Sequence, residues 1–188
     1  MILFVGRLQP LKGVDVAVRS LAALGRSDAS LYVVGGSSGA EGDTYIDHVH
    51  RLVAELGLES RVHFVPPQAH HILSTYYRAA DACGFRAVPR VSDWWPSRPQ
   101  HAVCRWWLTR VGGLVSLVDH ERTGFLVPDR DPEVFAKYTT ALLDDPDRRR
   151  AMAAAAAERG RRYTWSFAAA RLRRLYSDVT SRSLVNCS

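Results

Sequence analysis

"ILFVGRLQPLKGVDVAVRSLAALG", Ile2 to Gly25, is the stretch on which the architecture turns. It opens with four apolar residues in a row, Ile2 to Val5, ended by Gly6. A strand with one wet face would alternate, so an unbroken apolar run reads as a strand buried on both faces, as in a parallel sheet. Beyond the turn, Val14, Ala17, Val18, Leu21 and Leu24 recur at helical spacing. Gly25 then stands where a helix terminator takes the left-handed conformation. A buried strand, a glycine turn and an amphipathic helix make the opening of a βαβ unit.

The same rhythm repeats outward from there. "SLYVVGG" (Ser30–Gly36) is a second strand ended by glycine, and "DTYIDHVHRLVAELG" (Asp43–Gly57) a second helix, closed by Gly57. "RVHFV" (Arg61–Val65) and "HHILSTYYRAAD" (His70–Asp81) follow as strand and helix. Near the far end Gly124–Val127 reads as a last strand, followed by three helical segments. Asp131 before Pro132 and Asp145 before Pro146 read as N-caps with proline at the first helical position, and Thr164 as the cap of the last helix. The fold class implied is α/β, a Rossmann-like parallel sheet with helices on both faces.

Composition narrows the function classes. The chain has 188 residues, 47% of them hydrophobic, enough for one domain with a substantial core. No apolar run reaches the roughly 20 residues a membrane helix needs. Three cysteines without metal-ligand spacing fit a reducing cytoplasm. The net charge of +6 suggests nucleic acid until its distribution is seen. Residues 84–110 carry five Arg against Asp93, leaving the remainder nearly balanced, so no nucleic-acid partner is expected.

Two strands ending in glycine point to one edge of the sheet, where open α/β folds bind ligands. "GRLQPLKG" (Gly6–Gly13) sets Arg7 and Lys12 around a turn, just before a helix N-terminus. Two cations beside such a terminus suit a diphosphate; the alternative is a surface loop with two solvated basic residues. "GGSSGAEGD" (Gly35–Asp43) reads as a flexible glycine-rich loop.

Together these segments resemble a known family. "FVGRLQPLKGVDVAVRSLAAL", "VVGGSSG", "LGLESRVHFVPPQ", "YYRAAD" and "GGLVSLVDHERTGFLVPDRDPEVFA" are similar to the nucleotide-sugar-binding, C-terminal half of retaining GT-B glycosyltransferases. The likeness is strongest to actinobacterial inositol-phosphate N-acetylglucosaminyltransferases of mycothiol synthesis, with sucrose-phosphate synthases close behind. The resemblance implies a donor-binding domain over residues 1–180 and a short tail over 181–188. The N-terminal acceptor half is not in the chain, and a split gene would make it a partner. The implied activity is hexosyl or N-acetylhexosaminyl transfer with retention from a nucleotide sugar, UDP-linked, to an acceptor the sequence does not name. By the same resemblance Arg7 and Lys12 stabilise the leaving diphosphate, Gly6 keeps the backbone close, and Gln68 reads the uracil edge. No cofactor is required; where relatives hold Mg2+, the matching positions are Tyr77, Arg78 and Ala80, which also read simply as a surface helix end.

Residues 84–110, "GFRAVPRVSDWWPSRPQHAVCRWWLTR", depart from the pattern. They hold four of the five Trp, three Pro and one acid. The family has here a segment like "VPS.SESFGLVALEA.ACGTPVVA..V", with two Glu eight positions apart, one near the sugar and one on the ribose hydroxyls. Arg90 and Arg98 occupy those positions, and Cys104 replaces the expected Thr. Reading each codon one nucleotide earlier restores "VPSRSESFGLVALEAAACGMPVVADA" in register, with Glu at both places. The Trp doublets are informative, since a single codon for Trp forces Val in the shifted frame. A reading-frame shift bounded near Cys83 and Arg110 accounts for the segment; an evolved Trp-rich loop is the competing account. As written, the segment is expected to disrupt the centre of the fold and leave a gap in the sheet. The chain alone is expected to be inactive, and the alternatives to a donor-binding half are a noncatalytic nucleotide-binding module or a nonfunctional pseudogene product.

Overall fold

A computed structural model describes residues 1–37, 39–85, 106–109, 118–161 and 165–181. Six strands form one sheet: β1 (Ile2–Val5), β2 (Leu31–Val34), β3 (Val62–Val65), β4 (Ala82–Phe85), β5 (Trp106–Thr109) and β6 (Gly124–Val127). Their order is β3-β2-β1-β4-β5-β6, and every pairing is parallel. The chain thus winds outward from β1 in one direction, returns, and winds outward in the other. This is the doubly wound order, with its switch point between β1 and β4.

The helices among the described residues are α1 (Val14–Ala23), α2 (Gly39–Glu55), α3 (His70–Ala79), α4 (Pro132–Leu143), α5 (Pro146–Gly160) and α6 (Trp165–Ser181). Side chains alternate across the strands and so build two cores. Ile2, Phe4, Leu31, Val33, Phe125 and Val127 pack with Val14, Val18 and Leu21 of α1, Leu52 of α2, and Phe135 and Leu142 of α4. On the other face Leu3, Val5, Val34, Cys83 and Leu126 pack with Leu73 and Tyr77 of α3. The expected α/β layering is therefore present. All four residues of β1 are buried, as their unbroken apolar run required.

The helix punctuation also follows the sequence. Gly25 and Gly57 take positive φ, 64° and 63°, just past α1 and α2. The Asp131 carboxylate accepts from the Glu133 amide at 2.9 Å, and that of Asp145 from the Arg148 amide at 2.8 Å. Thr164, expected to cap α6, lies outside the described residues. Along α6, Phe167, Leu172, Leu175, Tyr176 and Val179 are all more than half exposed. No described helix is long and apolar enough to cross a membrane.

Three expectations change. The gap foreseen in the sheet is not there, because β5 bridges β4 and β6 along four residues of the odd segment. Backbone pairing needs extended residues with free amides, and "WWLT" supplies them: it contains no Pro, and Trp and Thr favour strands. The three Pro of the segment all lie upstream, at 89, 96 and 99, outside the described residues. The glycine-rich loop is also shorter than expected, since residues 39–43 already belong to α2. Gly42 explains this: a Cβ there would meet the Leu8 carbonyl oxygen at 3.3 Å, so this glycine serves close packing of a helix on the first loop. Finally, Cys83 is disulfide-bonded, where three cysteines with no even framework fitted a reducing cytoplasm.

Candidate functional site

All six strands are parallel, so the loops after β1, β2 and β3 share one edge of the sheet. They are also laced together by main chain. The Gly6 amide donates to the Val34 carbonyl at 3.1 Å, Leu8 to Gly36 at 2.9 Å, and Gly35 to Val65 at 3.0 Å. A short parallel bridge, Leu8 to Ser37, continues the β1–β2 ladder into the loops. The strand ends are therefore not free turns but a second layer of pairing above the sheet.

Two glycines make this layer possible, and only one position had drawn notice. A Cβ on Gly6 would meet nothing nearer than a Phe4 ring carbon at 3.7 Å. A Cβ on Gly35 would stand 1.8 Å from the Gly6 carbonyl oxygen. The close approach of backbones thus depends on Gly35 rather than on Gly6 itself. Gly36 is next: its Cβ would press on Pro67 at 3.0 Å, so the second loop is wedged between the first and the third. A "GG" after a strand was the available signal, but a sequence cannot say which backbone comes near.

Arg7 leaves β1 exposed at the switch point. Residues Pro10–Lys12 make one turn of 3-10 helix, with Lys12 half-buried in its last turn. Gly13 then adopts φ 71° and ψ 43°, the left-handed conformation that lets the chain reverse into α1. Gly13, at the N-cap, has no side chain to cap α1. The helix thus directs first-turn amides and its positive dipole end towards the loop that carries both cations. Gly6, Arg7 and Lys12 all lie on the segment between β1 and α1.

Gln68 lies on the third loop, two strands away, its amide nitrogen donating to the Pro66 carbonyl at 2.9 Å. It shares the edge with Arg7 but not the switch-point crevice. Tyr77, Arg78 and Ala80 sit elsewhere. The Asp81 amide donates to the Met1 carbonyl at 2.9 Å, which places the end of α3 beside the start of β1, at the opposite edge of the sheet. Tyr77 is 1% exposed within the second core, Ala80 has no side-chain donor, and Arg78 is a cation. Their side chains offer no cation ligand, and any ligand there would be a main-chain carbonyl. Among the described residues no three His, Cys, Asp or Glu gather as a metal centre. Arg90 and Arg98 lie outside the described residues; β4 delivers the chain to the far wall of the crevice just before them.

One pair escaped the sequence reading. Tyr45 of α2 is 7% exposed, and its hydroxyl donates to the Asp15 carboxylate at 2.6 Å. The same oxygen accepts from the Asp15 amide at 3.2 Å, in the first turn of α1. Burial, with the carboxylate beside it, pushes the Tyr45 phenol well above its ordinary range, so it remains a donor. A cavity of about 510 Å³, lined by Arg19, Leu56 and Asp131 among others, lies against the C-terminal half of α1 and contains none of these residues.

Comparison with known proteins supplies the context for this edge. Residues 1–87 match the sequence profile of the family described as "Glycosyl transferases group 1". The D-inositol 3-phosphate glycosyltransferase of Corynebacterium glutamicum (strain R) is 35% identical over 99% of this chain. The chain spans about 45% of that relative's length. Among solved structures, Anabaena Alr3699/HepE in complex with UDP-glucose is similar with a TM-score of 0.84, at 22% identity, covering 94% of this chain and 48% of that one. The sucrose-phosphate synthase of Thermosynechococcus elongatus has a TM-score of 0.82 at 28% identity, covering 97% and 46% respectively.

Proposed function

We propose, on the premise that this chain carries a glycosyl transferases group 1 domain in residues 1–87, that it is the donor-binding half of a retaining glycosyltransferase using a UDP-linked sugar. The observation that carries this reading is the Arg7–Lys12 loop at the β1/β4 switch point, closing directly onto the glycine-capped N-terminus of α1. Breaking a glycosidic bond to a diphosphate leaves negative charge on the departing oxygens. Fixed cations and amide donors stabilise that charge as it grows, without having to reorganise. Arg7 offers a planar fork to two phosphate oxygens, and Lys12 a point charge. The backbone bonds from Gly6 to Val34 and from Leu8 to Gly36, with Gly35 packed on the Gly6 carbonyl, hold the loop rigid, which preserves that geometry. Gln68, on the same edge, is assigned to the base.

The printed activity of the C. glutamicum relative and the UDP-glucose in the HepE complex support the donor class. Sugar transfer by the whole protein needs the half of the relatives' length that this chain does not span. That half is assigned to reading the acceptor, and it counts as a partner where the gene is split.

A second reading rests on a specific observation. The family match stops at residue 87, three residues past the start of the segment whose text fits the family only in a shifted frame. With Arg90 and Arg98 in place of two Glu, the ribose contact is lost and positive charge is added beside the diphosphate. Such a chain binds nucleotide phosphates without transferring sugar, or is a nonfunctional product. Calorimetric titration with UDP and UDP-N-acetylglucosamine separates these readings. For the donor half, both ligands bind, and Arg7→Ala or Lys12→Ala each weakens UDP about 10- to 100-fold, the range for losing a charged hydrogen bond. Failure of the intact chain to bind either ligand sinks the donor-half reading in favour of the inert product.

A further inference from the structure

The N-terminus of α1 contains its own rival for any anion it would bind. Asp15, second residue of α1, carries a carboxylate in the turn where the helix dipole favours negative charge. An aspartate there ordinarily folds back onto the first amides, which are the donors a diphosphate would use. In this fold it does not. The Tyr45 hydroxyl, almost buried and contributed by a different helix, donates to Asp15 Oδ1 at 2.6 Å. The Tyr45 hydroxyl oxygen in turn accepts from the Asp15 amide at 3.2 Å, so that one first-turn donor is satisfied without a charge. The N-cap residue, Gly13, has no side chain to cover the others.

We propose that Tyr45 is a positioning residue for the diphosphate site: it holds the Asp15 carboxylate against α2 and so keeps the start of α1 open to a phosphate. This rests on the donor-binding reading given above. Tyr45 touches no ligand. It acts through Asp15, by tethering on α2 a carboxylate that would otherwise compete for the remaining first-turn amides.

The test measures binding of inorganic pyrophosphate and of UDP to the whole chain as wild type, Tyr45→Phe, Asp15→Asn and the double variant. Releasing a carboxylate to compete at a helix start is worth about 2- to 5-fold. Tyr45→Phe is therefore expected to weaken both ligands by that factor. Asp15→Asn in the same background is expected to restore them, because the competitor is then neutral. Rescue is the decisive readout, since a merely structural role for the tyrosine would not be repaired by neutralising Asp15. Thermal melts run alongside establish that each variant is folded. Unchanged pyrophosphate affinity in folded Tyr45→Phe overturns the proposal, as does a loss that Asp15→Asn fails to restore. A wild-type chain that binds neither ligand overturns the donor-binding reading and this proposal together, a result distinguishable from the other two.

Discussion

Gly35 and Glu121 make opposite demands on the backbone, and each carries a prediction. A methyl group on Gly35 has nowhere to go, with the Gly6 carbonyl oxygen 1.8 Å from its position. Gly35→Ala must push the first and second loops apart. It is expected to cost about 1–3 kcal/mol, in the range for overpacking, and a thermal melt reads this at about 2–4 °C per kcal/mol for a chain of this size. Glu121 is the reverse case, a non-glycine residue at φ 66° in the turn before β6. Glu121→Asn relieves that conformation and is expected to stabilise by about 1 kcal/mol, measured by urea denaturation. Tyr45 adds a pH dependence. Its folded phenol is raised by burial while the unfolded one ionises near pH 10. Stability is therefore unaffected below that pH and falls as pH rises above it, because the unfolded state then binds fewer protons. Tyr45→Phe is expected to flatten that alkaline decline in denaturation curves. Arg7 and Lys12 were legible in the sequence because their relation is local, within one turn. The Tyr45–Asp15 pair was not, since thirty residues separate partners whose meeting depends on how α2 lies on α1.

At the scale of elements, helix ends could be read directly. Asp131 and Asp145 act on amides two and three residues onward, so the sequence contains the whole interaction. Asp131→Ala is expected to cost about 1 kcal/mol by loss of the cap, with the chemical denaturation midpoint lowered and its slope unchanged. The start of α2 was misplaced because glycine carries two meanings. In "GGSSGAEGD" Gly35 and Gly36 do form a loop, yet Gly42 allows a helix to approach Leu8. Only the neighbouring backbone distinguishes those uses. β5 was missed for a different reason. The four residues Trp106–Thr109 lie next to text that obeys no family pattern, and suspicion of the whole segment extended to a part that can pair. Leu108 pairs with Phe85 on one side and Leu126 on the other. Leu108→Pro removes an amide from the middle of the sheet and is expected to abolish cooperative unfolding by circular dichroism.

Across the whole molecule, the parallel sheet was implied by the alternation of strands and helices, but the strand order and its switch point were not. Which side of β1 receives β4 is a matter of topology, and it decides that the loop after β1 stands at the switch point beside the end of β4. On the proposed frame-shift reading, the chain beyond that end needs the restored text. Replacing residues 85–110 with "VPSRSESFGLVALEAAACGMPVVADA" restores Glu at 90 and 98. That chimera is expected to melt higher than the original and to bind UDP-N-acetylglucosamine at least tenfold more tightly, by calorimetry. Equal affinity would mean that the segment as written already serves the site.

The strand β5 has a consequence for how sequence likeness is judged. Amide and carbonyl groups are identical in every residue but proline, so a sheet has no means of proofreading the letters threaded through it. Four residues that fit no expected pattern close the architecture as neatly as those that do. Intact topology is thus no certificate that every letter was chosen for its place.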